Sequence, residues 1–199
     1  MRFSCIAVLA LALDLSACGA GSFGEPAAGF DFPQVAQAYI PLHTRDWILA
    51  THDGASVVIA PGVAVTNAHN ANLIDPRSVI GRVAGYDLMY FRTDKRAALS
   101  AAAPAIGEEI IAYGQDRDGK LRVSRGTVSR MWPAAFGFIS DAGPGFSGGP
   151  VLDAKTGALV GITYGYEGHE SAQTRLMVAY TAGFVMDRLA AVERRADAE

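Results

Sequence analysis

A short loop around Ser147 has the composition of a nucleophile turn. Residues 141–150 (DAGPGFSGGP) place four glycines and two prolines around this one serine. Glycine permits the positive φ and the close ligand approach that such a turn requires, and proline stiffens it, so backbone N–H groups can converge beside the hydroxyl. The pattern predicts a serine nucleophile whose own loop supplies an oxyanion hole. The alternative is a glycine- and proline-rich turn without a catalytic role.

His69 is the candidate base for this serine. A serine hydroxyl is a weak nucleophile at neutral pH, so it needs a base within hydrogen-bond reach and a third group that fixes the tautomer of that base. His69 closely follows the strand-like residues 63–66, as expected of a side chain delivered to a cleft from a strand end. The competing interpretation is a histidine with a structural role only. The other histidines lack a comparable context and are predicted at the surface or in turns: His43, His52 and His169.

Two segments, residues 145–150 (GFSGGP) and 65–69 (VTNAH), resemble the motifs of trypsin-like (chymotrypsin-fold) serine proteases. In that family a Gly-x-Ser-Gly-Gly-Pro loop follows a Thr-Ala-Ala-His-type segment, and here the resemblance covers most of residues 34–190. It implies a catalytic cleft between two β-barrels, with histidine and aspartate from the first barrel and serine from the second. The order of His69 and Ser147 along the chain agrees.

Asp87 is the candidate for the third group, because residues 87–91 (DLMYF) resemble the Asp-Leu-Ala-Leu-Leu-type segment that carries the aspartate in this family. Asp75 lies in a turn-like context before a proline, and Asp94 lies in a charged run, so both are expected to be solvated loop residues. Only 18 positions separate His69 from Asp87. That interval is shorter than the family leads us to expect, so a strand or long loop of the first barrel must be trimmed.

The resemblance also implies the role of each residue. His69 takes the proton of Ser147 and later gives it to the leaving amine, while Asp87 orients His69. The backbone N–H groups of Gly145 and Ser147 hold the oxyanion. The implied substrate is a protein or peptide, and no metal or organic cofactor is implied.

Phe146 departs from the animal digestive members of the family, which have an aspartate at this place that pairs with a new N-terminus after zymogen cleavage. A phenylalanine cannot form that ion pair, so activation by such a cleavage is not expected. A second departure is the absence of cysteine near His69 and Ser147, where secreted animal members use disulfides. The rigidity of the loop is therefore expected to come from packing and from Pro144 and Pro150.

Substrate specificity has weaker signals in the sequence. Asp141 lies six positions before Ser147, where trypsin-type enzymes carry the carboxylate at the base of the primary pocket, which implies cleavage after arginine or lysine. Bacterial relatives often have an aspartate in this stretch for loop structure, and that interpretation is favoured. Thr163 and Tyr164 are expected in one wall of the pocket, with Tyr164 or Tyr166 narrowing it.

The elements that must position these residues are short strands. Segments rich in β-branched and aromatic residues alternate with turn signals, and a polar, alanine-rich stretch at 93–104 divides them into two groups. Residues 183–195 then have the apolar spacing of a helix. The pattern fits an all-β fold with two six-stranded-type antiparallel β-barrels, the first abbreviated, and a C-terminal helix. The predicted strands are 47–50, 56–60, 63–66, 79–83, 88–92, 110–113, 121–123, 126–129, 136–139, 150–152 and 158–163.

Composition bounds the size and the class of the protein. The chain has 199 residues, of which 50% are hydrophobic and 19% charged, enough apolar material for one globular domain. This protease domain is predicted over 34–199, with barrel one at about 34–100 and barrel two at about 105–182. The formal net charge is −3, and lysines and arginines are scattered, so nucleic-acid binding is not expected.

The N-terminus has the features of an export signal. An arginine precedes a mostly apolar run at 5–13, which is too short to span a bilayer as a mature helix. Residues 15–18 (LSAC) resemble the bacterial lipobox, in which the leader is removed before the cysteine and that cysteine receives lipid. The predicted signal peptide is then 1–17, with Cys18 lipidated and Cys5 lost with the leader. The alternative is an ordinary secretory leader, with Cys18 incidental.

Residues 18–33 are predicted to be a flexible tether, because their first part is rich in glycine and alanine. A soluble body anchored through acyl chains on Cys18 would lie at a membrane surface. We therefore expect an exported bacterial envelope protein that faces the periplasm or the cell exterior. The oligomeric state is left open.

Together these features predict a serine endopeptidase that works through an acyl-enzyme intermediate. The alternative is a catalytically inactive protease-fold lipoprotein that binds envelope proteins or peptides, and the short interval between His69 and Asp87 favours it, as does Phe146. A third possibility is a purely structural envelope lipoprotein, in which the triad residues are dispensable. The density of motifs argues against this last interpretation.

Overall fold

Segments rich in β-branched and aromatic residues form the strands of two antiparallel sheets, as their preference for pleated, half-buried surfaces predicts. The structure is a computed structural model, and it describes residues 23–46, 50–168 and 173–196. Two 3-10 helices, Ala68–Leu73 and Pro76–Ser78, lie in the first half. The other elements are β1 (Glu25–Pro26), α1 (Pro33–Ala38), β2 (Tyr39–Asp46), β3 (Ala50–Ala60), β4 (Val63–Thr66), β5 (Val79–Arg82), β6 (Met89–Arg92), β7 (Glu109–Gln115), β8 (Leu121–Met131), β9 (Ala135–Ser140), β10 (Pro150–Asp153), β11 (Leu159–Glu167), β12 (Arg175–Thr181) and α2 (Ala182–Ala196).

The first sheet has the strand order β2-β3-β4-β6-β5. Its central strand, β4, pairs with β3 on one side and with β6 on the other. Thr66 at the end of β4 is the register partner of Met89 at the start of β6. This register brings the chain that leaves β4 next to the chain that enters β6, which are the two segments that carry His69 and Asp87.

The second sheet closes into a six-stranded antiparallel barrel. Its order is β8-β7-β10-β11-β12-β9, and β9 returns to pair with β8. Closure pairs each of these six strands on both sides, although β9 covers β8 only over Thr127–Met131. Strand β1 adds to the outside of β8, with Glu25 opposite Val123. The expected closed barrel of the second half and the C-terminal helix are therefore present. The first, abbreviated half is an antiparallel sheet of five strands among the described residues, and it is called the first barrel below.

Helix α2 belongs to the core of the first sheet, although it follows the last strand of the second. Val185, Leu189 and Val192 are buried and give the helix an apolar face that packs against β5 and β11. The Tyr90 hydroxyl donates a hydrogen bond to the Val185 carbonyl at 2.6 Å. The C-terminus thus ties the two sheets together. Within the described residues, none of the helices is both long enough and apolar enough to cross a membrane.

Several elements differ from the sequence prediction. The two segments at 121–123 and 126–129 are parts of the single strand β8, and the helix extends one residue further at each end. Residues 47–49 of the strand predicted at 47–50 lie outside the described residues, as do residues 1–22 with Cys18. Strands β2 and β12 were not predicted, because proline, charged residues or alanine interrupt their alternation of apolar and polar residues.

Residues 23–33 are not a free tether, which corrects the prediction for this part of 18–33. The Gly24 N–H donates to the Asp141 carbonyl at 3.2 Å, and the Ala27 N–H donates to the Leu121 carbonyl at 3.1 Å. The ring of Phe30 lies with its centroid 4.9 Å from that of Tyr113. Glycine and alanine content suggested flexibility, but phenylalanine and aspartate side chains in the same segment dock it onto the barrels.

Asp31 fastens this segment through its carboxylate. The Tyr113 hydroxyl donates to Oδ2 at 2.5 Å, and the Arg125 guanidinium donates to Oδ1 at 2.8 Å. The hydrogen bond from Tyr113 is the main cause that lowers the pKa of Asp31 below its ordinary value of 3.8, against an opposing effect of burial. The ionised carboxylate is therefore the form that the folded protein prefers.

This preference predicts a pH-dependent contribution to stability. Because the folded pKa is lower than the unfolded one, the contribution is present above pH 3.8 and is lost as the pH falls through the folded pKa. The difference in unfolding free energy between the wild type and Asp31→Asn should therefore shrink as the pH is lowered below about 4. Urea unfolding at a series of pH values measures it. Asp118→Asn, which removes an exposed carboxylate 3.7 Å from Lys120, is the control, and an equal pH dependence in both variants would contradict the assignment.

Candidate active site

His69 enters the cleft on the first turn of a 3-10 helix. Strand β4 ends at Thr66, Asn67 has an extended backbone, and the helix begins at Ala68. The His69 side chain is about half exposed, with a relative accessibility of 48%. A histidine on a short, well-fixed turn after a strand is held in place by the sheet but remains accessible to a ligand.

Asp87 binds His69 through both of its carboxylate oxygens. His69 Nδ1 lies 2.6 Å from Oδ2, and the His69 backbone N–H donates to Oδ1 at 2.9 Å. Because a carboxylate faces Nδ1, that nitrogen carries the proton, and Nε2 is the nitrogen left to act as a base. This is the tautomer that activation of a serine requires.

The short interval between His69 and Asp87 is accommodated by the register of β4 and β6. Asp87 lies on a tight turn that precedes β6, in which the Val83 N–H donates to the Leu88 carbonyl at 3.0 Å. Since the two strands pair directly, the turn needs no further strand to reach the histidine. The other candidate carboxylates lie elsewhere: Asp75 caps a 3-10 helix and binds Arg77, and Asp94 binds Thr93.

Two further side chains hold the turn that carries Asp87. The Asn67 side-chain amide donates to the Asp87 carbonyl at 2.9 Å, and the Asp87 N–H donates to the Tyr180 hydroxyl at 3.1 Å. The ring of Tyr180 stacks on that of Tyr164 with centroids 4.2 Å apart. Tyr180 belongs to β12 of the second barrel, so a residue of that barrel helps to hold the aspartate of the first.

The loop before Ser147 is a type II turn. The Phe146 N–H donates to the Gly143 carbonyl at 3.1 Å, Pro144 is the second residue, and Gly145 is the third with φ +91°. A side chain on Gly145 would place its Cβ 2.1 Å from the Gln115 carbonyl oxygen. The turn therefore requires the glycine both for its backbone angle and for space.

Ser147 is anchored to the first barrel by its own carbonyl oxygen. That oxygen accepts from the Ala55 N–H at 2.8 Å and from the Asn70 side-chain amide at 3.0 Å. Asn70 lies one residue after His69 on the same 3-10 helix, so a single element positions both catalytic candidates. No spacing or motif in the sequence indicated Asn70.

Two backbone N–H groups in this loop have no acceptor. Among the described residues, the N–H groups of Gly145 and Ser147 make no hydrogen bond. Because Gly145 is buried, an unpaired donor there is costly unless a ligand or water accepts from it. These are the two N–H groups for which the sequence predicted an oxyanion hole.

A cleft of about 460 Å³ lies between the barrels and is lined by both His69 and Ser147. Thr163 and Tyr164 line it as well, as the sequence predicted, and Met177 of β12 adds an apolar surface that the sequence did not indicate. Within the described chain, no hydrogen bond joins Ser147 Oγ to His69 Nε2. Catalytic hydrogen bonds are commonly long without substrate and tighten when it binds.

Comparison with known proteins is consistent with this geometry. Residues 54–162, more than half of the chain, match the family model of the trypsin-like peptidase domain. This chain belongs to the trypsin-like peptidase domain family. His69, Asp87 and Ser147 all lie within the matched residues.

Solved structures share the fold of this trypsin-like peptidase domain. A serine endoprotease from Yersinia pestis is similar over 81% of this chain, with 20% identity and a TM-score of 0.65. The HtrA-type protease AlgW with a tripeptide is similar over 81% of this chain, with 20% identity and a TM-score of 0.66. The match covers 64% and 62% of those two proteins, so this chain spans less than two thirds of either. No curated protein matches the sequence significantly.

Asp141 does not line the cleft of this trypsin-like peptidase domain. Its carboxylate accepts a hydrogen bond from the Ser124 hydroxyl and borders a separate cavity of about 260 Å³. Arg125 lines that second cavity too. The described cleft therefore does not include Asp141, and its hydrogen bond with Ser124 is consistent with the favoured interpretation of an aspartate that serves loop structure.

Phe146 fills the space beneath the serine loop. Its side chain is fully buried, and a Cβ on Gly114 would lie 2.6 Å from its ring. A Cβ on Gly24 would lie 2.7 Å from Phe146 Cζ. The loop is therefore supported from below by an apolar ring packed between two glycines.

The position of Asp141 leads to a prediction about specificity. Two substrates are compared, one with lysine and one with alanine before the cleaved bond. The ratio of their kcat/KM values should be the same in Asp141→Ala as in the wild type. The substitution should cost about 1 kcal/mol of unfolding free energy, because the buried Ser124 hydroxyl loses its acceptor. Ser124→Ala removes the same hydrogen bond and serves as the matched control. If Asp141→Ala loses a preference for lysine and Ser124→Ala keeps it, the Asp141 carboxylate contacts the substrate and this prediction is contradicted.

Proposed function

We propose that this chain is a serine endopeptidase with the triad His69, Asp87 and Ser147. The observation that carries the proposal is the 2.6 Å contact between Asp87 Oδ2 and His69 Nδ1. It leaves the basic nitrogen of the imidazole available in a cleft that Ser147 also lines. A histidine with a structural role alone has no need of a half-exposed side chain in a cleft that Ser147 and Gly145 also line.

The geometry supports acyl transfer in two steps. His69 Nε2 takes the proton of Ser147 as the hydroxyl oxygen attacks the carbonyl carbon of the peptide bond. The N–H groups of Gly145 and Ser147 stabilise the oxyanion, and the imidazolium stays paired with the ionised Asp87. His69 then protonates the leaving amine, and a water molecule activated by the same imidazole hydrolyses the acyl-enzyme.

A peptide is the substrate that this cleft fits best. The walls contain Tyr164 and Met177, which are large and apolar, together with the glycine-rich backbone at 143–145. The AlgW structures contain a tripeptide in one case and a decapeptide in another. We infer that this chain also takes a peptide, bound in the cleft that His69 and Ser147 line.

The alternative function is peptide binding without catalysis by a protease-fold protein. The absence of a hydrogen bond between Ser147 Oγ and His69 Nε2 is the observation that favours it. A binder needs the cleft but not a reactive serine, whereas an endopeptidase needs both. Reactivity of Ser147 therefore separates the two functions.

Labelling with a fluorophosphonate tests the proposed triad. The wild type should be labelled at Ser147, and Ser147→Ala should not be labelled. His69→Ala and Asp87→Asn should lower the labelling rate by roughly three to four orders of magnitude, because the base is absent or in the wrong tautomer. Mass spectrometry of the labelled peptide gives the site and the rate.

His43→Ala is the matched control for the loss of the imidazole. His43 also contacts a carboxylate, that of Asp53, but it does not line the cleft. Its replacement should leave the labelling rate within about twofold. Folded wild-type protein that resists labelling would support the binding alternative, and labelling that is indifferent to His69 would contradict the triad.

Lipid attachment at Cys18 forms a second part of the proposal and rests on the LSAC segment. After export, the mature N-terminus should be Cys18 carrying acyl chains, and the protein should fractionate with membranes in the envelope. Cys18→Ser should abolish both the acyl mass and the membrane association, whereas Cys5→Ser, within the leader, should change neither. Intact mass of the purified protein measures this, and a wild-type protein without acyl mass would support an ordinary secretory leader.

A further inference from the structure

Phe23 packs directly on the turn that forms the oxyanion hole. A Cβ on Gly143, the first residue of that turn, would lie 2.4 Å from Phe23 Cδ1 and 2.6 Å from Cγ. The aromatic ring is therefore in close contact with Gly143, and it does not line the cleft that His69 and Ser147 share. Residues 23–26, which contain Phe23 and β1, are called the N-terminal strap below.

Gly24 extends this contact to the ring beneath the turn. Its N–H donates to the Asp141 carbonyl at 3.2 Å, and its Cα approaches Phe146 so closely that a Cβ would meet Cζ at 2.7 Å. Pairing of β1 with β8 fixes the strap on the barrel immediately afterwards. The strap thus contacts the chain on both sides of the turn.

Arg175 completes the outer support. Its guanidinium carbon lies 4.6 Å from the centroid of the Phe23 ring and 5.5 Å from that of Tyr166. One guanidinium nitrogen donates to the Ala142 carbonyl at 2.6 Å, and the residue is only 5% exposed. The ring of Phe23 therefore contacts both a buried cation and Gly143, and the guanidinium of Arg175 lies close to Gly143 as well.

We infer that the N-terminal strap positions the oxyanion hole, with Phe23 as the positioning residue. This inference rests on the proposed endopeptidase function. The peptide unit between Pro144 and Gly145 must keep its N–H directed at the cleft, and no acceptor within the described residues holds that N–H in place. The turn's own hydrogen bond from the Phe146 N–H to the Gly143 carbonyl, and the bond from the Gln115 N–H to the Gly145 carbonyl, hold the loop from within. The remaining support comes from what packs against the turn, which includes the strap and the ring of Phe146.

Removal of the Phe23 ring tests this role. Phe23→Ala should slow fluorophosphonate labelling of Ser147 by about 10- to 100-fold, a part of the effect of losing an oxyanion donor. Phe23→Tyr keeps a ring over Arg175 and should restore the rate to within about threefold. Hydrogen exchange of the amides at 143–147 should be faster in Phe23→Ala than in the wild type, at a temperature where both are folded.

Phe30→Ala is the matched control, because it removes the same ring from the same N-terminal segment. Phe30 packs against Tyr39 and Tyr113 rather than against the turn. Its loss should lower the melting temperature and leave the labelling rate within about twofold. Equal slowing by both variants, or none in Phe23→Ala, would overturn the inference while leaving the endopeptidase proposal intact.

Gly143→Ala provides a second variant in case Phe23→Ala does not fold. It keeps the whole strap but introduces a methyl group that meets the Phe23 ring at 2.4 Å and the Arg175 guanidinium at 2.8 Å. It should therefore displace the contacts between the strap and the turn and slow labelling in the same direction. A folded Gly143→Ala protein that labels at the wild-type rate would also overturn the inference. If folded wild-type protein does not label at all, the proposed function fails and the role of the strap falls with it.

Discussion

Direct pairing of β4 with β6 is the constraint on which the rest of the site depends. It sets the end of one strand beside the start of the other, so that Asp87 meets both the imidazole and the backbone N–H of His69 across a single step of the sheet. Only a tight turn is needed between β5 and β6. The short interval in sequence between His69 and Asp87 follows from this direct connection. A carboxylate bound at two points cannot rotate away without breaking both hydrogen bonds.

The two barrels depend on each other, because each one forms hydrogen bonds that hold a candidate catalytic residue of the other. The first barrel anchors the Ser147 carbonyl through Ala55 and Asn70, and the second braces Asp87 through Tyr180. Helix α2 closes the arrangement by packing on the first sheet after the chain has left the second. The relative position of serine and histidine is therefore set by reciprocal contacts, and neither barrel alone contains a complete site.

Sequence reasoning found the residues whose type and context are both unusual. Ser147 lies among glycines that its turn requires, and His69 and Asp87 flank strands of ordinary strand composition. The family comparison agrees with the trypsin-like resemblance, and the geometry brings His69 and Asp87 into contact. Sequence reasoning missed Asn70, Tyr180 and Met177, because their roles come from register and packing between segments distant in the chain. It also predicted a tether where Phe23, Phe30 and Asp31 dock, since composition alone does not show that three side chains will find partners on a barrel. Asp141 was ambiguous because its neighbour Ser124 belongs to a different strand.

The buried ring of Phe146 determines how the shape of the serine loop depends on pH, salt and temperature. Where an ion pair supports such a loop, the support weakens when an amine loses its proton or when salt screens the attraction. A phenylalanine between two glycines has no proton to lose and no charge to screen. Its contribution is apolar burial, which fades on cooling rather than with acidity or ionic strength. The stabilisation of this loop by Phe146 should therefore depend on temperature more than on the ionic composition of the medium.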